Sequence, residues 1–243
     1  MKHLLIILPL VFVFSCKKAT DRKCFKSFGE ITEVEYPIDS VREFNLYKRI
    51  KYRFYQDNLR KIVVRTGENL QNLITVESNN YVTTINNHNK CHFLRDNDKI
   101  TEVDIHYPHY FNIYAEPSDS IIFMDTLKGN YTRIHIRDGG STLKLNVDMN
   151  QISVTISYGV GNFIIGGKAN NARLVIQNLA YADALNLKTD KLYIYHNSNN
   201  DILANFDSTD VEVVFYGNGD VRFIGEPATL IVNGAGDGEV IGF

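Results

Sequence analysis

The 243-residue sequence has no tryptophan, only three cysteines and no strong excess of either charge, with a formal net charge of −2. Its lysines and arginines are scattered, which argues against a dedicated nucleic-acid binder because such proteins carry a strongly basic face. Apolar residues at helical spacing are also missing beyond two turns, once the first residues are set aside. Abundant asparagine, with 14 tyrosines and 14 phenylalanines, suits pleated strands joined by many turns. The sequence therefore predicts an essentially all-β protein.

A long hydrophobic run is lacking as well, because residues 4–14 give an apolar stretch of only about eleven residues and a transmembrane helix needs ~20. The stretch follows a basic start and predicts a signal peptide over residues 1–15. Residues 13–16, Val-Phe-Ser-Cys, resemble a bacterial lipobox, which implies that Cys16 is lipidated and anchors the protein to a membrane. The alternative is an ordinary signal peptide that leaves Cys16 as a free thiol.

Residues 16–40 are predicted to comprise the lipidated cysteine and a polar tether to the folded body. Lys17 follows Cys16, and by resemblance to envelope lipoproteins this favours the outer membrane, with the body facing the periplasm or the cell surface. Cys24 and Cys91 form a candidate disulfide in such an oxidising compartment. The alternative is two unpaired, partly buried thiols, and the spacing alone does not decide between them.

Apolar-x-apolar pairs recur through the second half of the sequence at intervals of 18 to 20 residues, each followed by a turn of Gly, Asn and Asp. The pairs are Ile134/Ile136, Val154/Ile156, Leu174/Ile176, Leu192/Ile194, Val211/Val213 and Leu230/Val232. Such a period is the sequence signature of a solenoid, in which equivalent inward side chains stack in columns. The predicted fold is all-β, a single-stranded parallel β-helix with about 18–20 residues per coil.

Two segments carry a recurring pattern of apolar strands and G-x-G corners, residues 154–167 (VTISYGVGNFIIGG) and residues 211–227 (VEVVFYGNGDVRFIGEP). Both resemble the head GIN domain of auto-transporter adhesins, a family of Gram-negative envelope lipoproteins. Arg42-Glu43-Phe44 and the run from Asp104 to Pro108 are similar to the first half of that domain. The resemblance implies that residues 41–243 are one β-helical GIN-like head domain, with no established enzymatic activity, catalytic residues or cofactor.

One set of polar residues follows the apolar pairs of successive coils by five to seven positions. Its members are Asn162, Asp183, Asp201, Asp220 and Asp237. Equivalent positions in a solenoid stack ~4.8 Å apart, so these side chains would form a column that attracts cations such as calcium. The alternative is that Asp and Asn are turn residues that bond their own backbone. We therefore assign no metal from the sequence.

Several polysaccharide-cleaving enzymes are β-helices that use paired carboxylates. Asp207, Asp210 and Glu212 cluster here in sequence, but Glu212 is expected to point into solvent and no basic partner is fixed beside them by spacing. We expect no catalytic residue and a non-enzymatic, adhesin-like or structural role in binding a glycan or protein ligand. The alternatives are a carbohydrate-active enzyme and a purely architectural envelope protein. Four tyrosines form either a recognition row or a stacked ladder: Tyr158, Tyr181, Tyr195 and Tyr216.

Overall fold

Strands and turns make up nearly all of the computed structural model, which describes residues 27–89, 100–117 and 119–243. The strands are β1 Ile31–Pro37, β2 Glu43–Tyr47, β3 Ile50–Tyr55, β4 Lys61–Gly67, β5 Ile74–Asn79, β6 Val82–Asn87, β7 Thr101–His106, β8 Asn112–Glu116, β9 Ile121–Arg137, β10 Thr142–Ser157, β11 Asn162–Asn178, β12 Tyr181–Ser198, β13 Ile202–Asn205, β14 Asp210–Phe215, β15 Val221–Ile224, β16 Thr229–Gly234 and β17 Val240–Gly242. A single turn of 3-10 helix, Gln71–Leu73, is the one helical element of these residues. Accordingly, no described helix is long and apolar enough to cross a bilayer.

The strands form two sheets that enclose one apolar core. Strands β9 to β12 each turn a corner, so that their first halves lie in sheet A and their second halves in sheet B. Sheet A has the order β1-β4-β7-β3-β9-β10-β11-β12-β13-β15-β17, and sheet B has the order β5-β6-β2-β8-β9-β10-β11-β12-β14-β16. All of these pairings are parallel except β1–β4, β4–β7 and β5–β6, and the chain winds into a β-solenoid of about six turns. The predicted fold class is confirmed.

The register of the coils corrects one detail of the predicted repeat. One inward column consists of Ile134, Val154, Leu174, Ile194, Val213 and Val232. Leu192 stacks on Ala172, not on Leu174, so the predicted pairs of the last three coils are displaced by two residues. Along this column the repeat is therefore 19 to 20 residues long, and the 18-residue step does not occur.

The N-terminal end of the solenoid is closed by antiparallel strands. β1 pairs with β4, β4 with β7, and β5 with β6, while the rest of the solenoid continues as parallel coils. Part of the segment predicted as a tether is thus a strand, because Ile31–Pro37 is bonded along its length to β4. The apolar residues Val34 and Val64 form one of its pairs. Cys16, Cys24 and Cys91 lie outside the described residues, and their predicted roles stay predictions.

Each coil of the regular region has one tight corner and one looser corner. At the tight corner two successive residues, such as Asn150 and Gln151, face solvent, and the chain passes from sheet A to sheet B. Asn150 donates to Asn130 at 3.1 Å and accepts from Asn170 at 3.1 Å, which makes an amide ladder across three coils. Stacked asparagines of this kind bond side chain to side chain between equivalent strands. We name this edge of the solenoid the asparagine corner.

Candidate functional site

A groove of about 630 Å³ crosses the outer face of sheet B next to the asparagine corner. It is lined by residues of six successive strands: Tyr131, Gln151, Ile152, Asn171, Ala172, Arg173, Lys191, Leu192, Tyr193, Asp210, Val211, Glu212, Thr229 and Ile231. We call this the sheet B groove. It runs along the solenoid axis, so an extended ligand could contact every coil that it passes.

The walls of the sheet B groove follow directly from the repeat. One wall is the outward row Tyr131, Gln151, Asn171, Lys191, Asp210 and Thr229, which are aligned in register. The other wall contains Arg173, Tyr193, Glu212 and Ile231, two positions further along each strand. Between the walls lie Ile152, Ala172, Leu192 and Val211, which are buried because their side chains face the core. Period-two alternation thus places two rows of chemically varied, outward side chains on either side of the groove.

The side chains of the sheet B groove combine an aromatic surface with charges of both signs. The Arg173 guanidinium lies 4.4 Å from the ring centre of Tyr193, a cation–π contact that fixes both groups. In the next coil, Thr229 Oγ1 donates a hydrogen bond to Asp210 Oδ1 at 2.8 Å. Apolar and aromatic surfaces with a few fixed polar groups are typical of small-molecule sites. The arrangement can hold a ligand that offers both hydroxyl groups and apolar ring faces.

The structure brings together three members of the predicted cation column. Asn162 is aligned with Tyr181, the residue before Ala182. Ala182 is aligned with Ile202, the residue after Asp201, so Tyr181 and Asp201 occupy equivalent positions. Asp220 then precedes Val221, the partner of Ile202. Asn162, Asp201 and Asp220 therefore share one row, but Tyr181 separates Asn162 from Asp201, and only Asp201 and Asp220 are neighbours. The other two members are placed elsewhere.

Asp183 and Asp237 are the two members that lie off this row. Asp183 is aligned with Ile164 and Leu203, two positions further along the strands, and it bonds the backbone N–H of Leu185 at 3.1 Å. The row position expected for Asp237 is occupied by Glu239, the residue before Val240, which is aligned with Val221. Asp183 lies off the row because the turn after Ile176 is one residue shorter than the turn after Ile156, which places Tyr181 in the position equivalent to Asn162.

The aspartates in the row are bonded to protein groups. Asp201 Oδ1 accepts the backbone N–H of Asp220 at 3.0 Å, and Asp220 Oδ1 accepts that of Glu239 at 3.1 Å. Arg222 lies beside both, with Nε 2.8 Å from Asp201 and Nη2 3.3 Å from Asp220. Within the described residues, no group of three or more His, Cys, Asp or Glu side chains is placed to hold a metal ion. A guanidinium thus takes the position in which a cation was expected.

Comparison with known families identifies the domain to which this fold and groove belong. The model of the family described as "Putative auto-transporter adhesin, head GIN domain" matches residues 42–227, more than half of the chain. The chain belongs to this family. The resemblance that residues 154–167 and 211–227 indicated is therefore confirmed. A comparison with curated protein sequences finds no match.

Solved structures with the same fold as this GIN domain come from several bacteria. A putative adhesin from Bacteroides fragilis NCTC 9343 is 16% identical with a TM-score of 0.76, covering 88% of this chain and 97% of that one. A putative adhesin from Parabacteroides merdae ATCC 43184 is 15% identical, with a TM-score of 0.62 and coverage of 89% and 98%. A putative lipid binding protein from Parabacteroides distasonis ATCC 8503 is 14% identical, with a TM-score of 0.63 and coverage of 88% and 97%. At these identities the likeness establishes the shared fold.

The tyrosines that the sequence singled out do not form one row in the GIN domain. Tyr195 and Tyr216 are in contact, with ring centres 5.6 Å apart and planes inclined at 40°. Tyr158 instead faces the guanidinium of Arg137, whose Cζ is 5.7 Å from its ring centre. Burial, followed by nearby aspartates, raises the pKa of Tyr181. The aromatic groups of the sheet B groove, Tyr131 and Tyr193, were missed by the sequence reasoning.

Of the three carboxylates considered for an enzyme, the GIN fold places two in the sheet B groove. Asp210 and Glu212 both line the sheet B groove, two residues apart on β14, whereas Asp207 is not among its lining residues. Glu212 is exposed, as the alternation of β14 predicted. In the sequence, the groove walls could have been found only from the outward residues next to each apolar pair. That signal appears only when several coils are aligned correctly.

A charged cluster outside the groove lies on sheet A of the GIN domain. Asp104 is 4% exposed and lies between Arg53, whose Nε is 2.6 Å away, and Arg65, which bonds its other carboxylate oxygen. Burial alone would raise the pKa of Asp104, but the hydrogen bonds from Arg53 and Arg65 outweigh it and the pKa is lowered. Arg65 also bonds Glu33 of β1, so the cluster ties the first strand to β4 and β7.

Proposed function

We propose that the protein is a lipid-anchored envelope protein that binds an extended glycan along the sheet B groove. The observation that carries this proposal is the groove itself, with its two tyrosines and fixed charges of both signs. Sugar rings present an apolar face that packs on aromatic rings and hydroxyl groups that bond charged side chains. Family membership supports an adhesin-like role at the cell envelope.

The repeat explains why the ligand would be a chain and not a compact molecule. Outward positions recur once per coil, and coils are ~4.8 Å apart along the axis. Tyr131 and Thr229 mark the two ends of one wall, five coil steps apart, which gives a length of ~24 Å. An unbranched glycan that lies along the axis would meet a new set of side chains at every step.

The direct test is binding of the purified protein to a glycan array, followed by titration of the best ligand. Tyr193→Ala removes an aromatic wall residue and the partner of Arg173, and it should weaken binding at least about fivefold, equivalent to ~1 kcal/mol. Tyr195→Ala is the matched control, because this tyrosine lies two residues away on β12 and is not among the lining residues. Equal effects of the two substitutions, or no glycan ligand on the array, would contradict the proposal.

The anchor is tested separately from the groove. Cys16→Ala should release the protein from the membrane fraction of its native host and abolish incorporation of labelled palmitate. Glycan binding by the purified protein should be unchanged, because Cys16 is distant in sequence from every groove residue. Membrane association that persists in the Cys16→Ala variant would contradict lipid anchoring at this residue.

A carbohydrate-active enzyme is the second candidate, because Asp210 and Glu212 lie in the same groove. Residues two apart on a strand are ~6.6 Å apart along it, which is close to the separation of ~6.5–9.5 Å used by inverting glycosidases. Incubating the bound glycan with the protein and measuring new reducing ends separates the candidates. Release of reducing ends that Glu212→Gln abolishes would establish the enzyme, whereas an intact glycan supports binding alone.

A further inference from the structure

The C-terminal end of the solenoid exposes side chains that are buried in every preceding coil. Leu230 and Val232 continue the inward columns of Val211 and Val213, with which they are in register. Val211 and Val213 are 1% and 0% exposed, whereas Leu230 and Val232 are 40% and 49% exposed. The core is therefore open at this end. An open apolar core is normally covered in repeat proteins by a capping element.

The edge strand at this end also lacks the features that prevent strand pairing. β16 pairs with β14 and β17 pairs with β15, and neither has a second partner strand among the described residues. The β16 sequence, TLIVNG, contains no charge, no proline and no bulge. Edge strands usually carry lysine, proline or irregularities because their free N–H and C=O groups otherwise pair with other chains. β16 is thus able to accept another strand.

The opposite end of the solenoid shows how the same chain protects an edge. β1 is the edge strand of sheet A, and its exposed residues include Glu33 and Glu35, followed by Pro37 at its end. Glu33 pairs with Arg65, and Glu35 pairs with Lys61 of the neighbouring strand. The edge strand at the N-terminal end is charged and the edge strand β16 at the C-terminal end is not, so the C-terminal end is the one suited to association.

We infer that the C-terminal end, formed by β16 and β17, is a contact surface for a second copy of this chain. A two-fold axis perpendicular to the solenoid axis would place β16 antiparallel to a strand of the other copy and cover the exposed Leu230 and Val232 on both sides. Such a contact uses the same patch twice, which is how most homodimers are built. β16 carries no charge, so its pairing with the same strand brings no like charges together.

The area of this end is sufficient for a dimer. Strands of six residues are ~20 Å long, and two sheets ~10 Å apart with their side chains give a face of ~20 by ~30 Å. Each copy would bury ~600 Å², or ~1,200 Å² in total, which is at the lower limit for specific interfaces. We therefore expect a dimer with micromolar rather than nanomolar affinity.

Acidic residues around the apolar face give the dimer a distinctive salt dependence. Glu226, Asp237 and Glu239 are exposed at the corners of the last coil, and a second copy would bring them near its own acidic residues. Salt screens this repulsion and strengthens contacts between apolar surfaces. Dimer affinity should therefore rise between about 0.05 and 0.5 M sodium chloride. An interface held by ion pairs would respond in the opposite direction.

The first experiment is disulfide trapping of the full chain in the cells that produce it. Single cysteines are placed at Leu230, Ile231, Val232 and Asn233, and dimers are measured after mild oxidation, relative to the unaltered chain. At least one position should give a strong dimer band, because residues near a two-fold axis meet their own copies. Glu212→Cys is the matched control: it is aligned with Ile231 one strand further in, ~14 Å from its copy and beyond disulfide reach.

The second experiment measures the size of the detergent-solubilised full chain by sedimentation. The unaltered chain should dimerise at micromolar concentration, and Ile231→Lys should raise the dissociation constant at least tenfold because it places a charge on the edge strand. Ile231 is 55% exposed, so the substitution should leave the unfolding temperature of the dilute monomer unchanged. Thr155→Lys, at an outward position in a middle coil, is the control for the added charge.

Three results of these experiments would overturn the inference. These are a chain that stays monomeric at every concentration, equal trapping by the Glu212→Cys control, and a dimer that Ile231→Lys does not weaken. Ile231 also lines the sheet B groove, so dimerisation is measured without ligand and glycan binding is tested at Tyr193 of β12, and the two proposals can fail independently. Dimerisation that tightens with salt and is lost in Ile231→Lys would establish the C-terminal end as the interface.

Discussion

Replacing Asp104 by asparagine should destabilise the protein more than any other single charge removal among the ion pairs described above. The carboxylate is 4% exposed and holds Arg53 of β3 and Arg65 of β4 against β7. Asparagine keeps the volume but removes the negative charge, which leaves two guanidinium groups without a counter-ion. Three strands of sheet A near its N-terminal end are therefore affected at once.

The expected loss follows from the contacts. A hydrogen bond between charged groups contributes ~1.5–3 kcal/mol, and breaking a fully buried pair costs ~3–5 kcal/mol. The side chains of Arg53 and Arg65 are 23% and 28% exposed, so water replaces part of what the carboxylate provided. We expect a loss of ~2 kcal/mol in the free energy of unfolding. For a domain of this size the thermal midpoint should fall by ~4–8 °C.

The dependence on pH identifies the charge as the cause. The folded pKa of Asp104 is lowered, so its stabilising contribution is complete above the unfolded pKa of ~3.9 and is lost as the pH falls through the folded value. The difference between the unaltered chain and Asp104→Asn should be constant from pH 7 to about pH 4.5 and should shrink at lower pH. Thermal unfolding followed by circular dichroism at several pH values measures it.

Glu33→Gln is the control, because Glu33 bonds the same Arg65 but its side chain is 55% exposed. Exposed pairs contribute ~0–1 kcal/mol, so this substitution should have little effect. The reasoning would be refuted by equal losses in the two variants. It would also be refuted by a loss in Asp104→Asn that persists unchanged below the folded pKa, since removal of the charge could then not explain it.

Three further substitutions test the coils. Gly167→Ala should cost more than ~2 kcal/mol, because φ is +97° and a Cβ would lie 2.1 Å from a carbonyl oxygen of the adjacent coil, whereas Gly140→Ala, 3.5 Å from its nearest neighbour, should be tolerated in thermal unfolding. Burial lowers the pKa of His196, so stability should fall as the pH drops below the unfolded value of ~6.5, and His196→Phe should reduce that slope in melts at pH 7.5 and 5.5. Asn150→Ala removes two side-chain hydrogen bonds of the asparagine ladder and Asn170→Ala removes one. Urea unfolding should therefore show about twice the loss of unfolding free energy for Asn150→Ala, ~1 kcal/mol against ~0.5 kcal/mol.

The solenoid could be predicted from the sequence because its signal is repeated in every coil. Inward pairs such as Val154/Ile156 and Leu174/Ile176 are apolar, large and spaced at a constant interval, and the structure stacks them as expected. The fold class required only that the period be recognised. It did not require the alignment of each coil to be correct.

The candidate site could not be predicted, because its geometry depends on that alignment. A shift of two residues keeps every side chain on its own face of the sheet, so the pattern of apolar and polar residues does not reveal the error. Ala172 is small and Leu192 is large, and their stacking was therefore not apparent from hydrophobicity. The same shift hid the alignment of Lys191 with Asn171 in the groove wall. Side-chain volume, which the alternation ignores, was the missing information.

The stacking of parallel coils also determines how the protein responds to mechanical force. Hydrogen bonds between coils are directed along the solenoid axis, so tension between the two ends opens one strand pair at a time, beginning with the short terminal strands β16 and β17. Force that enters through the sheet B groove is different, because its walls belong to six successive strands and the tension is shared among them. A ligand bound along the groove would thus connect several coils and resist their separation. The protein should withstand more force when pulled through its ligand than when pulled by its terminal strand.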